Sequence, residues 1–231
     1  MAHLIPHPPE NHPASLEYRL TPRPKRAFHG ILDAAKLVTA GAPMVLRHAV
    51  AGEALKVEVE HQLSHGRTWE SMAFRLADDG LRLSSLERRV FDAEDRAVRH
   101  ERASFDAPPY LLPPSTYPEV VLPFLLGWLP LDGKRRSLYA WINDRFVARV
   151  YVESVGKKEI SLPQGRQLAI EVIMYPDLND WVHLGHVLTR LARPFTPKYH
   201  MWYQPEAPYA LLRFEGPQGP PGAPELIIER A

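Results

Sequence analysis

Apolar and polar residues alternate along much of the chain between positions 55 and 174. In the clearest run, from 55 to 63, the odd positions carry apolar side chains or a histidine, and the even positions carry charged or amide side chains. A period of two is typical of a β-strand with one buried face. The pattern therefore predicts a protein built on a β-sheet.

Turn sequences separate the alternating runs. Asp78-Asp79-Gly80 is a hairpin signal between two apolar-bearing segments, so neighbouring strands are expected to be antiparallel. Proline clusters mark further connections, because proline removes a backbone donor and fits poorly in a central strand. The predicted strands are 15–21, 44–50, 54–64, 69–76, 81–91, 97–105, 137–142, 145–154, 157–162, 167–175, 198–203, 209–214 and 225–229.

Two segments break the alternation and predict short helices. Ser115 or Thr116 can cap a helix over 118–126, which is apolar on nearly every side and should be buried against the sheet. A second helix is predicted at 180–191. The expected fold is mostly β, a strongly curved antiparallel sheet or incomplete β-barrel or roll with two short helices. Residues 1–14 are expected to form a flexible or surface-draped arm, and 15–231 a single β domain.

Composition excludes several classes of protein. The 231 residues carry a formal net charge of +1, so the basic footprint of a nucleic-acid binder is missing. Without cysteine there is no disulfide, thiolate nucleophile or cysteine zinc site. The longest apolar run, 120–131, is too short for a transmembrane segment and contains two prolines. No signal peptide is apparent, so a cytoplasmic location is expected by default, and an envelope location if a leader has been removed.

Several strand-and-turn motifs occur in an order that resembles a known family. They are Asp79-Gly80-Leu81 through Arg88-Arg89-Val90-Phe91, Leu122-Pro123-Phe124-Leu125-Leu126, Tyr151 through Ile160, Leu162-Pro163-Gln164-Gly165, and Met201-Trp202-Tyr203 leading to Leu211-Leu212-Arg213-Phe214. Over roughly the latter two-thirds of the chain, this order resembles the bacterial family catalogued as domain of unknown function 3108. The resemblance implies a mostly exported protein, with a curved antiparallel sheet around an apolar interior and no established catalytic residues. The chain differs from that family in lacking an export signal and in carrying the 180–191 segment.

Histidines supply the candidate chemistry. His183 and His186 would share a face of the second predicted helix, and a zinc site would need a third ligand such as His200 or Asp180. The alternative is a pair of ordinary polar residues, and no cofactor is favoured. His61 shares a strand face with apolar residues; it would serve in catalysis only beside a carboxylate and a cavity.

Aromatic residues are concentrated in the second half of the chain, which predicts either core packing or an aromatic-lined pocket. The leading hypothesis is binding of a hydrophobic or amphipathic small molecule between the concave face of the sheet and the two helices, with the second helix as a lid. An alternative is a hydrolase, lyase or isomerase that uses His183, His186 or His200, with or without a metal. A third is a structural protein whose sheet edges are covered by another chain. The predicted ligand-binding residues are Phe124, Trp128, Trp141, Tyr151, Trp181, His183 and Trp202.

Overall fold

The described residues form one sheet of thirteen strands. The computed structural model describes residues 3–10, 12–23, 38–106, 112–143, 146–177, 198–217 and 225–231. The strands are β1 (Ser15–Pro22), β2 (Ala42–Ala51), β3 (Ala54–Leu63), β4 (Gly66–Ala77), β5 (Gly80–Phe91), β6 (Ala97–Ser104), β7 (Thr116–Pro118), β8 (Arg136–Asn143), β9 (Phe146–Leu162), β10 (Gly165–Pro176), β11 (Tyr199–Tyr203), β12 (Leu211–Pro217) and β13 (Glu225–Arg230). Helix α1 (Leu122–Leu125) continues into one turn of 3-10 helix (Leu126–Trp128).

The sheet consists of two meanders that meet at one ladder. The spatial order is β6-β5-β4-β3-β2-β1-β13-β12-β11-β10-β9-β8-β7, so β1 and β13 join the two halves. At this junction Tyr18 lies opposite Arg230. Every neighbouring pair is antiparallel except β7 and β8, which are parallel. The predicted mostly-β, largely antiparallel fold is therefore confirmed.

Strand β9 replaces two predicted strands, 145–154 and 157–162. The chain continues through Val155 and Gly156, where a β-bulge shifts the register against Glu171 and Val172 of β10. A bulge absorbs an extra residue without ending a strand. Gly156 adopts a φ of 128°, a conformation that favours glycine, and this allows the strand to continue.

The predicted helix over 118–126 is shorter and begins later than expected. Residues Thr116–Pro118 form β7, where Thr116 and Tyr117 lie opposite Tyr139 and Ala140 of β8. The Thr116 hydroxyl donates to the Pro113 carbonyl at 2.7 Å, so it does not cap a helix. The predicted burial of the segment is confirmed, since all four residues of α1 are buried. The second predicted helix, 180–191, lies outside the described residues.

The sheet curls until its two ends approach each other. Strand β7 contacts β5, and an N-terminal strap, residues 3–7, lies between β5 and β8. The His3 amide donates to the Ser137 carbonyl on β8, and the Leu81 amide on β5 donates to the Ile5 carbonyl, each at 2.8 Å. Ile5 is fully buried. Part of the segment predicted as an arm is thus packed against the sheet.

The inner face of the curled sheet carries the main apolar core. Alternate residues of β3 and β4, such as Val57 and Phe74, are buried, as are Tyr18 and Tyr203. The outer face carries a small second cluster, which consists of Ile160, Leu162, Ala169, Trp202 and Leu212. Among the described residues, no helix has the length and apolar character needed to cross a membrane.

Candidate ligand-binding cleft

A narrow cleft lies between the inner face of the second meander and the segment that leads into α1. Its volume is about 40 Å³. Each strand from β8 to β13 contributes to one wall, and the segment after β7 forms the other. The lining residues are Glu119, Val120, Leu122, Pro123, Ala140, Ile142, Ala148, Val150, Met174, Pro176, Tyr199, Phe214, Pro217 and Ile228.

Glu119 brings a carboxyl group to this apolar space. Its backbone amide donates to the Trp141 carbonyl at 3.0 Å, which extends the pairing of β7 with β8 by one residue. The Val121 amide donates to the Pro118 carbonyl, which turns the chain toward α1. Among the described residues that line the cleft, only Glu119 carries a carboxyl group. The backbone therefore fixes one acidic group at the wall of an otherwise mostly apolar cleft.

An ion pair of the first meander lies close enough to influence this carboxyl group. The Arg88 guanidinium on β5 donates to Glu70 Oε2 on β4 at 3.0 Å, and it also approaches Glu101 on β6 at 3.7 Å. Glu70 is only 4% exposed. Burial raises the pKa of the Glu70 carboxyl, and the Arg88 charge acts against that rise. A paired buried charge is tolerated far better than a lone one.

Loss of solvent raises the pKa of Glu119 to about 8; the Arg88 charge acts to lower it and the Glu70 charge to raise it. No side-chain hydrogen bond from the described residues contributes to this balance. Burial, and after it the charge of the Glu119 carboxylate, raises the pKa of the Tyr199 hydroxyl. Glu119 can therefore change its charge near neutral pH, which is unusual for a glutamate.

His61 lies on the inner face of β3, as the alternation predicts, and it is 7% exposed. Its Nδ1 atom has no hydrogen-bond partner among the described residues. Burial and the Arg88 charge lower its pKa to about 4, so the ring is neutral at physiological pH. His61 does not line the cleft.

The predicted ligand-binding residues that the structure describes do not come together around this cleft. Phe124 lies in the core, edge to face with Tyr18 at a ring-centre separation of 5.1 Å. Trp128 packs its ring against two histidines, His12 and His48, at separations of 5.4 Å and 5.8 Å. Those histidines share a hydrogen bond of 2.8 Å between Nδ1 of His12 and Nε2 of His48.

Three other predicted residues occupy outward positions of their strands, although Trp141 is 5% exposed and belongs to the main apolar core. Trp141 packs edge to face against Phe105 at 5.6 Å, and the Tyr151 hydroxyl donates to Asp177 Oδ2 at 2.8 Å. Trp202 belongs to the outer apolar cluster. These three residues do not line the cleft because side chains alternate between the two faces of a strand. Their neighbours on β8, β9 and β11 occupy the inner positions.

Of the candidate catalytic and metal-binding histidines, His200 is the one that the structure describes, and it does not line the cleft. His200 lies on the outer face, where its Nδ1 is 3.0 Å from Glu171 Oε1 and its ring stacks on Trp202. Trp181, His183 and His186 lie outside the described residues. Within the described ranges, no three histidine or carboxylate side chains converge in a way that could hold a metal ion.

Glu70, Arg88 and Glu119 were missed as candidate residues, although the sequence carried a signal for two of them. Glu70 precedes Met72 and Phe74 on the inward face of β4, and Arg88 follows Leu86 on the inward face of β5. A charged residue at an inward position of an alternating run indicates a buried polar contact. Glu119 gave no such signal, because it precedes an apolar segment and fits the first turn of a helix equally well.

Comparisons with known proteins identify one with a similar fold. No protein family matches the sequence. No curated protein matches it either. Among solved structures, the chain is similar to the β-barrel-like protein of domain of unknown function 1849 from Brucella abortus. The TM-score is 0.54 at 11% identity, with 100% of this chain and 97% of that chain covered. The resemblance to family 3108 was therefore wrong, because strand-and-turn motifs recur in unrelated sheets; the β-barrel-like fold is supported.

Proposed function

We propose that this protein binds a small hydrophobic or amphipathic molecule in the cleft between α1 and the second meander. The ligand would place a short apolar group against the strands and its polar group at Glu119. The observation that carries the proposal is an apolar interior cleft with one carboxyl group in its wall, and no ion pair between that group and the described residues. Apolar pockets with a few convergent polar groups are typical ligand sites.

The volume limits the ligand. A buried water needs about 10–15 Å³ on the same scale, so a cleft of about 40 Å³ has room for roughly three waters or a short alkyl group. Ala140 and Ala148 keep this space open, because their side chains are the smallest on that wall. A larger ligand would require α1 to move away from the sheet.

Methionine methyl signals provide a direct test of binding. Met174 lines the cleft, whereas Met72 is buried in the inner face of β4 and does not line it. Titration with 1-butanol, an uncharged amphipathic probe, should shift the Met174 methyl signal in a saturable manner and leave the Met72 signal unchanged. Native mass spectrometry of freshly purified protein would reveal a ligand that co-purifies.

Two variants, each with an alanine replaced by leucine, make the test specific. Ala148→Leu fills the cleft and should abolish the Met174 response. Ala73→Leu adds the same atoms on β4, at a position opposite Ser85 that does not line the cleft, and should preserve the response. If Met174 does not respond in the unmodified protein, or if both variants behave alike, the cleft is not a ligand site.

A further inference from the structure

The positive charge that acts on Glu119 comes from the Arg88 guanidinium, which two other carboxyl groups share, those of Glu70 and Glu101. The Arg88 guanidinium is already engaged by Glu70 at 3.0 Å and by Glu101 at 3.7 Å. Arg88 is also absent from the wall of the cleft. A negatively charged ligand group in the cleft would therefore meet Glu119 before any positive charge of the described residues.

A positively charged group would find a complementary wall. The Glu119 carboxyl group has no hydrogen bond from the described residues, although it lines the cleft. The rings of Tyr199 and Phe214 line the opposite wall of the same cleft, with their centres 6.3 Å apart. Aromatic faces attract cations, and a carboxylate removed from water binds a cation more strongly than an exposed one does.

We propose that the cleft selects a protonated amine on a short apolar body, with the Glu119 carboxylate as the partner of the ammonium group. This inference rests on the proposed function, because it names the ligand class of the same cleft. Ammonium hydrogens supply the donors that the Glu119 oxygens lack, and the alkyl group occupies the apolar space beside Val150 and Met174.

Binding of the amine should release a proton from the protein. Burial raises the pKa of Glu119 to about 8, so the carboxyl group is largely protonated at pH 7. The charged groups that face it are Arg88, Glu70 and, in its ionised form, Tyr199. An ammonium group beside Glu119 favours the ionised carboxylate, so the affinity should rise as the pH increases from about 6 to 8.

The test compares three probes of equal chain length at pH 8: n-butylamine, 1-butanol and butanoate. The Met174 methyl signal reports occupancy for each. Butylammonium should bind at least about tenfold more tightly than butanoate, which corresponds to about 1.4 kcal/mol. Calorimetry in two buffers with different ionisation enthalpies should show that about one proton is released per amine bound at pH 7.

Two variants separate a direct contact from a general charge effect. Glu119→Gln keeps the shape of the side chain and should reduce the preference for butylammonium over butanoate to less than about threefold. Glu58→Gln removes the same charge from the outer face of β3, where Glu58 pairs with Lys56, and should leave the preference intact.

The outcomes distinguish this inference from the proposed function. If all three probes bind with similar affinity, the cleft is a ligand site, but the choice of an amine is wrong. If both glutamine variants reduce the preference equally, the Glu119 contact is wrong. If none of the probes shifts the Met174 signal, the proposed function itself fails.

Discussion

The hydroxyl group of Tyr117 accepts a hydrogen bond from the backbone amide of Ile5 at 2.8 Å. The same hydroxyl donates to the carbonyl of Leu81 at 3.0 Å, so one side chain joins the strap, β5 and β7. Tyr117 and Ile5 are both fully buried. The two ends of the sheet are therefore connected by a hydrogen-bonded contact from which water is excluded.

Replacement of Tyr117 by phenylalanine should lower the free energy of unfolding by about 1–3 kcal/mol, because it leaves the buried Ile5 amide without that partner. Urea denaturation measures the change. Tyr175→Phe provides the control, since no hydrogen bond of its hydroxyl is found among the described residues and its ring contacts Tyr151. Equal losses in the two variants would mean that the Tyr117 hydroxyl does not join the strap to the sheet.

Replacement of Gly80 by alanine should lower the stability of the protein, because the strap packs against this position. A Cβ atom at Gly80 would lie 2.5 Å from the Ile5 carbonyl oxygen, and the residue has a φ of 133°. Gly156→Ala is a matched control, with a φ of 128° and nothing within 4 Å of its Cβ. Both variants share the backbone strain, so Gly80→Ala should lose about 1–3 kcal/mol more than Gly156→Ala in thermal or urea unfolding. The same loss in both would indicate that the strap can leave its position freely.

The strand pattern was predictable because it is local. Alternation in β3 and β4 gives both the strand and its buried face, and Asp79-Gly80 marks the turn that follows. The strap was not predictable in this way. Ile5 lies among prolines with no periodicity, and it is buried only because the curled sheet leaves a gap between β5 and β8. Such a gap results from pairing between distant parts of the chain.

The candidate site was likewise predictable only in part. The location beside the segment that leads into α1 was predicted, but the aromatic residues were expected to face inward. Trp141 and Tyr151 occupy outward positions, while Ala140 and Val150 face the cleft. In β8 both faces carry apolar or aromatic residues, so alternation alone does not identify the inner one; on β9, Tyr151 shares its face with Arg149 and Glu153, and this marks that face as the outer one.

Glu119 should make the stability of the protein fall as the pH rises. Its pKa is about 8 in the folded protein and about 4.5 ordinarily, so the unfolded chain loses its proton first. The resulting loss of stability develops between pH 4.5 and 8, and amounts to at most about 4 kcal/mol, less where solvent reaches the group. Glu119→Gln should therefore be more stable than the unmodified protein at pH 8 and similar to it at pH 4.5, as measured by urea unfolding. Glu58→Gln retains Glu119 and should therefore lose stability between pH 4.5 and 8 to the same extent as the unmodified protein.

Two buried histidines should make the stability of the protein fall as the pH decreases. Burial and the Arg88 charge lower the pKa of His61 to about 4, and burial and His48 lower that of His12 to about 4, both from 6.5. As the pH falls from 6.5 to 4, the unfolded chain takes up protons that the folded protein does not. Each histidine therefore removes up to about 3 kcal/mol of stability in this range.

The variant His61→Gln should flatten the stability curve between pH 6.5 and 4, measured by urea unfolding at a series of pH values. His65→Gln, four residues along the chain at an exposed position, should leave the curve unchanged. A curve for His61→Gln that retains the full slope would show that His61 does not stay neutral in the folded protein.

The ladder between β1 and β13 joins residues from near the two ends of the described chain, such as Tyr18 and Arg230. All other antiparallel pairs connect strands that follow each other in the chain, and pairs of this kind form quickly because little loop entropy is lost. We therefore expect the two meanders to form first and the β1–β13 ladder to form late in folding. Until β13 has been synthesised, β1 has an unpaired edge. A chain truncated before β13 should therefore associate with other chains through that edge and aggregate rather than remain a folded monomer.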